Sequence, residues 1–493
     1  MKRFALLLLI VITIPMVGAL IGTFAKYRSE STYYELIKEK WGEIDAKEMV
    51  EGKLSLEHVS NLPEFANDSF IENYTNVRML QKGSLATIAV GLLLSLIILF
   101  AGLLASIHRR LLLLLFSPGL KLVLLVLFGI ILAQGAITTY SIYILEVTLI
   151  NRFHPFLIGS IGLAAAAGAF SMIVAGFSIS KRVSLTITGV RLLKADEPAL
   201  WDFVEGIAKK LGATIPKNIV VGLDPNFFVT SADVALYPEN ANFSEETLYL
   251  SLPFIRIFTK DELKAVIGHE LGHFRGDDTK YSLKFYPIYA GTNKAIQALT
   301  PGNDYEAGSL LILPAYAVLI FFMERFAIAE NKISRLRELQ ADKAGSDASS
   351  SMALISSLLK LGALAGMWSS VRKSMVDALN QGNAIVNASS LYAEAAFDCL
   401  DIDMLMSSVN ASIPHPTDSH PTISQRMENL GLTLAGFRST YSTPETHDSA
   451  FELLSHPIEI EKGITIFEHQ VILAMGQAKL PEEEPQLESE MGN

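Results

Sequence analysis

Long runs of apolar residues dominate the first part of the chain and predict membrane-spanning helices. Each run comes close to or exceeds the roughly 20 residues that an α-helix needs to cross the hydrocarbon core of a bilayer. The runs are Phe4–Ala25, Ser84–Ile107, Leu122–Leu145 and Phe156–Ser178. The first run follows Lys2 and Arg3, as the core of a cleaved signal peptide also would, but no clear cleavage site of small residues comes after it. We therefore expect an uncleaved anchor and four N-terminal transmembrane helices.

Polar and apolar stretches divide the chain into segments. Residues 26–82 are rich in charged side chains and are predicted to lie outside the membrane, between the first two helices. From residue 183 the composition becomes that of a water-soluble domain. We predict an anchor at 1–25, an extramembrane segment at 26–82, three transmembrane helices within 83–182, a folded domain at 183–435, a C-terminal extension at 436–480 and an acidic, disordered tail at 481–493.

The folded domain combines helix and strand patterns, which indicates an α+β architecture. Apolar positions at helical spacing predict a helix at Glu197–Leu211, and short apolar runs predict strands at Asn218–Gly222 and Thr247–Leu252. The sequence Asp-Pro-Asn at 224–226 marks a turn between the strands.

A further apolar region, 281–330, interrupts this domain and is expected to contact the bilayer. Its first arm, 281–299, is broken by Lys284 and Lys294, and its second arm, 309–323, is strongly apolar. Two membrane-spanning helices and a hairpin that dips into the membrane both fit this pattern. Because the lysines lie in the first arm, we favour a partly inserted helical hairpin, which a membrane tolerates only where protein covers the backbone at the turn.

Composition and charge narrow the class of protein. Half of the residues are hydrophobic and only 18% are charged, a balance too apolar for a purely soluble protein. The net charge is −11 and no Lys/Arg-rich run occurs, so we expect no nucleic-acid partner. No Walker A motif is present, so we also expect no nucleotide partner. The chain has one cysteine, Cys399, and therefore cannot form an internal disulfide.

The strongest chemical signal is an HExxH motif, His269-Glu270-Leu-Gly-His273. Residues four apart lie on one face of an α-helix, so the two histidines can direct their imidazoles at one metal ion. Zinc accepts two histidine nitrogens, one further protein ligand and a water molecule. Glu270 is then placed to take a proton from that water. Gly268 and Gly272 are poor helix formers, which indicates close packing against a neighbouring element.

A third metal ligand is predicted on a second helix, within Ser334-Arg-Leu-Arg-Glu338-Leu-Gln-Ala-Asp342. Glu338 and Asp342 are four residues apart and project from one side of that helix. Glu338 can then complete the zinc site, while Asp342 accepts the free ring N–H of a ligand histidine and fixes its tautomer. Taken alone, both carboxylates could be charges on a solvated helix. Their position after an HExxH motif favours the ligand interpretation.

Three motifs together resemble the membrane zinc metallopeptidases that include the heat-shock protease HtpX and the CaaX prenyl endopeptidase. They are HELGH at 269–273, SRLRELQAD at 334–342, and Ser419-His420-Pro421 with Arg426 close behind. The resemblance implies an α-helical membrane protein whose α+β zincin domain, a gluzincin, occupies 183–435. It also implies one Zn²⁺ per chain on His269, His273 and Glu338, with Glu270 as the catalytic base and Asp342 supporting a ligand histidine.

The resemblance further implies where substrate binds. In gluzincins the strand ahead of the metal helix lies at the edge of the sheet, where an extended peptide can add by backbone hydrogen bonds. We therefore assign substrate binding to 247–252, with Leu248 and Leu250 as contact residues. Asn226 stands where the family often has an asparagine, so it either touches the substrate backbone or only forms the turn.

The Ser-His-Pro motif implies a group that stabilises the reacting carbonyl. His420 is expected to hydrogen-bond the oxyanion of the tetrahedral intermediate, with Arg426 assisting or orienting it. His415 also precedes a proline, so the choice of His420 depends on the Ser-His-Pro spelling and on the spacing to Arg426.

We therefore expect an integral-membrane zinc endopeptidase that hydrolyses peptide bonds in the quality control or processing of membrane proteins. Its partners would be protein or peptide substrates, membrane proteins among them, and the lipid bilayer. Three alternatives are left open: a CaaX-type peptidase for prenylated proteins, a peptidase for soluble substrates tethered by its helices, and a non-catalytic membrane scaffold. Pairs of basic residues at 2–3, 109–110 and 181–182 favour a cytoplasmic catalytic domain on a bacterial inner membrane.

Overall fold

The structure, a computed structural model, is mostly helical. It describes residues 2–52, 54–65, 67–107, 109–147, 152, 154–177, 184–275, 289, 291–299, 309–410, 420–441 and 449–481. The chain divides into two compact units. The first comprises Met1–Ser180 and Phe285–Glu330, and the second comprises Lys181–Lys284 and Asn331–Asn493.

The first unit is built from long apolar helices and a few short polar ones. Its described helices are α1 (Lys2–Trp41), α2 (Glu43–Glu51), α3 (Leu56–Val59), a 3-10 turn (Pro63–Phe65), α4 (Ser69–Ala105), α5 (Arg109–Leu145), α6 (Pro155–Phe177) and, as far as Glu330, α10 (Ser309–Ala348).

Several of these helices are long and apolar enough to cross a membrane. In the part of the chain that the structure describes they are Arg3–Trp41, Ser69–Ala105, Arg110–Leu145, Pro155–Phe177 and Ile312–Ala348. The prediction of several long apolar helices is therefore confirmed. The turn of the predicted hairpin, 300–308, lies outside the described residues, whereas its second arm belongs to the continuous helix α10.

The polar segment 26–82 is folded against itself. The Tyr74 hydroxyl donates to Glu30 at 2.9 Å, and the rings of Tyr33 and Phe70 stack 6.4 Å apart. These contacts join the polar ends of α1 and α4, which continue as helices beyond their apolar runs. Buried side chains from α3 and α4, Leu56 among them, form a small core of their own.

The second unit contains all seven described strands. They are β1 (Ser184–Thr188), β2 (Val190–Leu192), β3 (Asn218–Gly222), β4 (Phe228–Thr230), β5 (Asp233–Tyr237), β6 (Ala241–Phe243) and β7 (Thr247–Ser251). Its helices, besides the rest of α10, are α7 (Pro198–Leu211), α8 (Leu252–Ile257), α9 (Lys260–Arg275), α11 (Ser351–Leu364), α12 (Met367–Asn380), α13 (Ala388–Cys399), α14 (Ile402–Asn410), α15 (Ile423–Asn429), α16 (Leu434–Thr440) and α17 (Pro457–Ala474), with a 3-10 turn at Ala450–Leu453. The predicted helix and both predicted strands are present as α7, β3 and β7.

The strands form two sheets, with orders β2-β3-β7-β4 and β1-β5-β6. Within the larger sheet β3 and β7 are parallel, and β4 runs antiparallel to β7, with Phe228 opposite Tyr249. Both central strands are buried along their whole length, as expected for parallel strands covered on both faces. One face packs on α7 and α9, and Tyr249 on the other face packs with the smaller sheet.

The prediction that residues 247–252 form the edge of the sheet is wrong. β7 lies between β3 and β4, so its backbone groups are already paired on both sides over much of its length. The outer strand on this side is β4, a run of three residues. A strand this short carries too little periodicity to be recognised from sequence.

Candidate metal centre

The HExxH motif lies on α9, whose first turn is fixed by buried polar contacts. The Glu262 N–H donates to the Thr259 hydroxyl at 3.1 Å, and the Thr259 N–H donates to the Glu262 carboxylate at 2.9 Å. This reciprocal cap satisfies two backbone donors at the helix start. The same carboxylate accepts from the buried Lys360 ammonium at 2.7 Å. These contacts anchor the helix that presents the two histidines.

One side of α9 packs into the core of the second unit. Leu263, Val266, Ile267 and Leu271 are buried there, at the spacing of one helical face. The apolar side chains therefore fix the rotation of α9 about its axis. That rotation leaves the two histidines to face α10.

Glycines allow α9 and α10 to approach closely. A Cβ added to Gly268 would lie 2.4 Å from the Cβ of Ala348, and one added to Gly272 would lie 3.0 Å from the Cβ of Ala344. On the other helix, a Cβ on Gly345 would lie 2.7 Å from the Ala265 carbonyl oxygen. Close packing thus accounts for the glycines beside the histidines, and it brings α10 within reach of the imidazoles.

Three potential metal ligands converge between the two helices. His269 Nε2 lies 3.5 Å from Glu338 Oε2, and His273 Nε2 lies 3.5 Å from Glu338 Oε1. Ligand atoms of all three residues lie within 4.8 Å of one another. Two imidazole nitrogens and one carboxylate are the donor set of a catalytic zinc site that keeps a position open. The residues therefore fit the ion that the sequence implies.

Asp342 and Arg426 form a buried pair behind His269. Asp342 Oδ1 lies 3.1 Å from His269 Nδ1, so the carboxylate accepts the ring N–H and leaves Nε2 on the ligand side. The Arg426 guanidinium donates to both carboxylate oxygens, with Nε 2.9 Å from Oδ2 and a second bond from Nη2 to Oδ1. Arg426 thus orients Asp342, which in turn orients the ligand histidine.

His420 lies on the open side of the same cluster. Its Nδ1 is 3.2 Å from Glu338 Oε2, and 67% of its side chain is exposed. The exposed part of the ring is therefore accessible to a bound peptide, as its predicted role requires. His415 and Ser419 lie outside the described residues.

Burial and neighbouring charges shift the pKa values of the site. Burial lowers the pKa of His269, but hydrogen bonds to Asp342 and Glu338 outweigh it and raise the pKa to about 9. Burial raises the pKa of the Glu270 carboxyl, against the opposing effect of His269 and His273. The hydrogen bond to Glu338 raises the pKa of His420. Asp342 and Glu338 thus favour a positive charge in the cluster. Burial brings the pKa of Glu270 nearer to the neutral pH at which a general base works.

The predicted substrate-binding residues have different surroundings. Leu248 and Leu250 are fully buried in the core, so their assignment as contact residues is wrong. Asn226 is exposed, and its side-chain oxygen accepts the Phe227 N–H at 2.9 Å, which stabilises the turn. Asn226 lies two residues before the start of β4.

Sequence reasoning missed two features of the site. The first is the outer position of β4, for which the only signal was the β-prone sequence Phe-Val-Thr at 228–230, directly after a turn. The second is the pairing of Arg426 with Asp342, since side chains 84 residues apart carry no mark of their contact.

Comparison with known proteins agrees with this geometry. Residues 195–433 match the model of peptidase family M48, a range that contains the whole cluster. A protease HtpX homolog from Sulfurihydrogenibium is 30% identical over 182 residues, which cover 34% of this chain and 57% of the relative. Homologs of the same name from Thermococcus sibiricus and Methanocaldococcus jannaschii are 28% and 27% identical and are covered over 61% and 66% of their lengths.

The chain thus matches less than two thirds of the length of each of these relatives. The range that matches the family model carries both histidines, Glu338 and Arg426, and several long apolar helices accompany it. The chain is thus similar to peptidase family M48 over residues 195–433, and to proteins named protease HtpX homolog.

Proposed function

We propose that the protein is a zinc-dependent endopeptidase of the membrane. The observation that carries this proposal is the convergence of His269, His273 and Glu338 beside Glu270. A scaffold on the same fold would need neither the ligand set nor the base. When bound, zinc supplies Lewis-acid chemistry, because it polarises a peptide carbonyl and acidifies a water molecule.

The residues of the chain have distinct parts in hydrolysis. Glu270, one position from a ligand histidine, accepts the proton of the attacking water and passes it to the leaving amine. The burial that raises its pKa makes it a stronger base than a solvated carboxylate. His420 donates to the oxygen on which negative charge develops. Asp342 and Arg426 hold His269 in the orientation that its ligand role requires.

An extended peptide substrate is proposed to pair with β4. This strand is the outer one of its sheet and contacts α9. Its free backbone edge can bind a peptide with little preference for side chains. Asn226 precedes the strand and is exposed, so its amide can hold the incoming chain at the start of that edge.

We propose that the apolar region 281–330, whose second arm belongs to α10, is a partly inserted hairpin. Glu324 is 2.5 Å from Arg3, and Phe321 packs on Phe4, so this part of α10 lies level with the start of the first apolar run. The lysines at 284 and 294 in the first arm support a hairpin, whereas α10 by itself is long and apolar enough to cross a membrane.

We further propose that the four N-terminal apolar helices span a bacterial inner membrane, with the peptidase domain in the cytoplasm. The basic pairs at 2–3, 109–110 and 181–182 support this orientation, since each would then lie on the cytoplasmic side. The name of the relatives, protease HtpX homolog, supports proteolysis, and the long apolar helices of the chain support membrane proteins as its substrates.

The variant Glu270→Gln tests the proposed function. The purified chain in detergent should keep bound zinc, because the ligands are intact, and its hydrolysis of casein-like substrates should fall at least about a hundredfold. Zinc content is measured by metal analysis and hydrolysis by release of peptides. Trapping substrates on this variant and identifying them by mass spectrometry would then define the substrate class.

Two further variants make the result specific. Glu338→Gln should lose both zinc and hydrolysis, whereas Glu394→Gln, an exposed carboxylate on α13, should change neither. Hydrolysis by Glu270→Gln at the rate of the unaltered chain would contradict the proposal. A cellular function that survived Glu270→Gln unchanged would favour the scaffold.

A further inference from the structure

A pocket of about 410 Å³ lies beside the metal centre, between α10 and α15. We call it the flank pocket. Its lining includes Lys332, Arg335, Leu336, Leu339, Pro421 and Glu428. Its volume lies within the range of ligand pockets, about 300–1,000 Å³.

The two helices that form the flank pocket also carry the metal centre. On α10, Glu338 and Asp342 face the histidines, and the next residue after Glu338, Leu339, faces the pocket. On α15, Arg426 faces Asp342, while Glu428 lines the pocket. The same two helices therefore form the pocket and the metal centre, and Pro421 of the pocket lining directly follows His420.

The walls of the flank pocket are held in place. The Asn429 amide donates to the Leu339 carbonyl at 3.0 Å, which ties α15 to α10. Thr422 and Gln425 cap the start of α15 reciprocally. This cap directly follows His420 and Pro421, so it fixes the end of α15 that adjoins both the pocket and the exposed histidine.

The chemistry of the flank pocket is that of a subsite for an apolar side chain beside an acidic group. Leu336, Leu339 and Pro421 supply apolar surface, and 57% of Leu336 is exposed. Lys332 and Arg335, one turn apart on the α10 wall, supply positive charge. Glu428 stands on the α15 wall and disfavours an acidic group on that side.

We propose that the flank pocket is a specificity subsite, which takes an apolar side chain of the substrate with an acidic residue next to it on the Lys332 side. This inference rests on the proposed peptidase function. It adds a preference that backbone pairing along β4 does not supply.

A peptide series tests the proposal. The peptides share one sequence and carry a single Glu or Lys next to a Leu, at each position on either side of the scissile bond. The zinc-loaded chain in detergent should cleave the Glu peptide with a higher kcat/KM than the Lys peptide at one position. Lys332→Glu should shift that ratio towards Lys roughly tenfold, and Glu428→Gln should shift it towards Glu.

The chain offers a matched control. Lys343 is exposed on the same helix, three turns further on, and lies outside the pocket lining. Lys343→Glu makes the same change of net charge and should leave the ratio unchanged. An equal effect of both lysine variants, or no effect of Lys332→Glu, would overturn the proposal. Leu336→Ala, at an exposed position, should weaken the preference for Leu over Ala without affecting folding.

A binding measurement separates this proposal from the proposed function. Fluorescent versions of the same peptides are titrated onto the Glu270→Gln chain and onto the same chain with Lys332→Glu, and Kd is measured by anisotropy. Tighter binding of the Glu peptide, without hydrolysis by the unaltered chain, would support the subsite and contradict the peptidase function. Hydrolysis that does not depend on Lys332 would support the peptidase function and contradict the subsite. If Lys332→Glu abolished only the binding of a short-chain phosphatidylglycerol, the pocket would be a lipid site and the proposal would be wrong.

Discussion

The buried charges of the second unit are arranged around one histidine ring. Asp342 is fully buried and accepts from two groups at once, the His269 ring N–H and the Arg426 guanidinium. Isolated buried charges are costly, so each member of this group depends on the others. The metal centre thus includes residues that would never touch the ion.

The variant Asp342→Asn measures the value of that arrangement for metal binding. The amide no longer stabilises the imidazole N–H as a carboxylate does, so zinc affinity should fall roughly 10- to 100-fold. The measurement is competition with a chromophoric chelator. Asp347→Asn, an exposed carboxylate on the same helix, is the control and should bind zinc normally. Unchanged affinity in Asp342→Asn would mean that the contact is incidental.

The variant Arg426→Leu tests the pair from the other side. It leaves the buried Asp342 carboxylate without its bidentate partner, and the free energy of unfolding should fall by roughly 3 kcal/mol. Denaturant unfolding followed by tryptophan emission would show it, since Trp201 and Trp368 both lie in the second unit. Adding Asp342→Asn to Arg426→Leu should recover part of the loss, because the uncompensated charge is then gone. A purely additive double variant would contradict the coupling.

At the scale of elements, the packing of α9 on α10 decides whether the ligands meet. Gly268→Ala would place a Cβ 2.4 Å from that of Ala348 and force the helices apart. We expect a loss of about 1–3 kcal/mol in stability and weaker zinc binding, since Glu338 moves with α10. Gly206→Ala is the matched control at an exposed position of α7, where the added Cβ meets nothing within 4 Å and should stabilise by about 0.4–1 kcal/mol. Normal zinc affinity in Gly268→Ala would show that the close approach is not required.

The C-terminal helix α17 adds a pH-dependent element. His469 is buried there, with its Nε2 lacking a partner in the described part of the chain, and burial lowers its pKa below 6.5. The unfolded chain therefore takes up this proton at a higher pH than the folded chain. The contribution of His469 to stability is complete above pH 6.5 and is lost as the pH falls towards the lowered pKa.

The difference between His469→Leu and the unaltered chain isolates this effect. Comparing Tm at about pH 8 and about pH 5.5, the variant should lose less stability on acidification than the unaltered chain. His456→Gln, which changes an exposed histidine at the start of α17, should retain the full loss. Equal losses in all three proteins would assign the acid sensitivity to other groups.

The sequence predicted single helices and strands, because the spacing of apolar residues depends on the type of element. The buried strands at 218–222 and 247–251 were visible as apolar runs, and the HExxH helix and the Glu338 helix as spaced motifs. Strand order has no such trace, because it depends on which backbone edges pair after folding. β7 was therefore assigned to the edge that β4 occupies, and buried Leu248 and Leu250 were mistaken for substrate contacts.

At the scale of the whole molecule, apolar pattern and helix length give different information. The first apolar run ends at Ala25, but α1 continues to Trp41, because its polar end packs on α4 through Glu30 and Tyr33. The pattern thus marks where a helix can contact lipid and not where it ends. The same distinction applies to α10, which is apolar only in its first part and carries Glu338 and Asp342 in its last.

The proposed orientation can be tested with the single native cysteine. Cys399 is exposed in the second unit, so its thiol is accessible wherever that unit lies. With the peptidase domain in the cytoplasm, a membrane-impermeant maleimide should not label the chain in intact bacterial spheroplasts and should label it after permeabilisation. Labelling is read as a mass shift on a gel.

The complementary variant carries Cys399→Ser and Ile44→Cys. Ile44 is 84% exposed in the polar segment that follows the first apolar run, and an odd number of spans separates it from the N-terminus. Its thiol should therefore react in intact spheroplasts, which also proves that the reagent reached the membrane. In the proposed topology three N-terminal spans lie between Ile44 and the peptidase domain, so the two cysteines are expected to give opposite results. Labelling of Cys399 without labelling of Ile44→Cys in intact spheroplasts would show the opposite orientation. Labelling of both would contradict an even number of spans between the N-terminus and the peptidase domain.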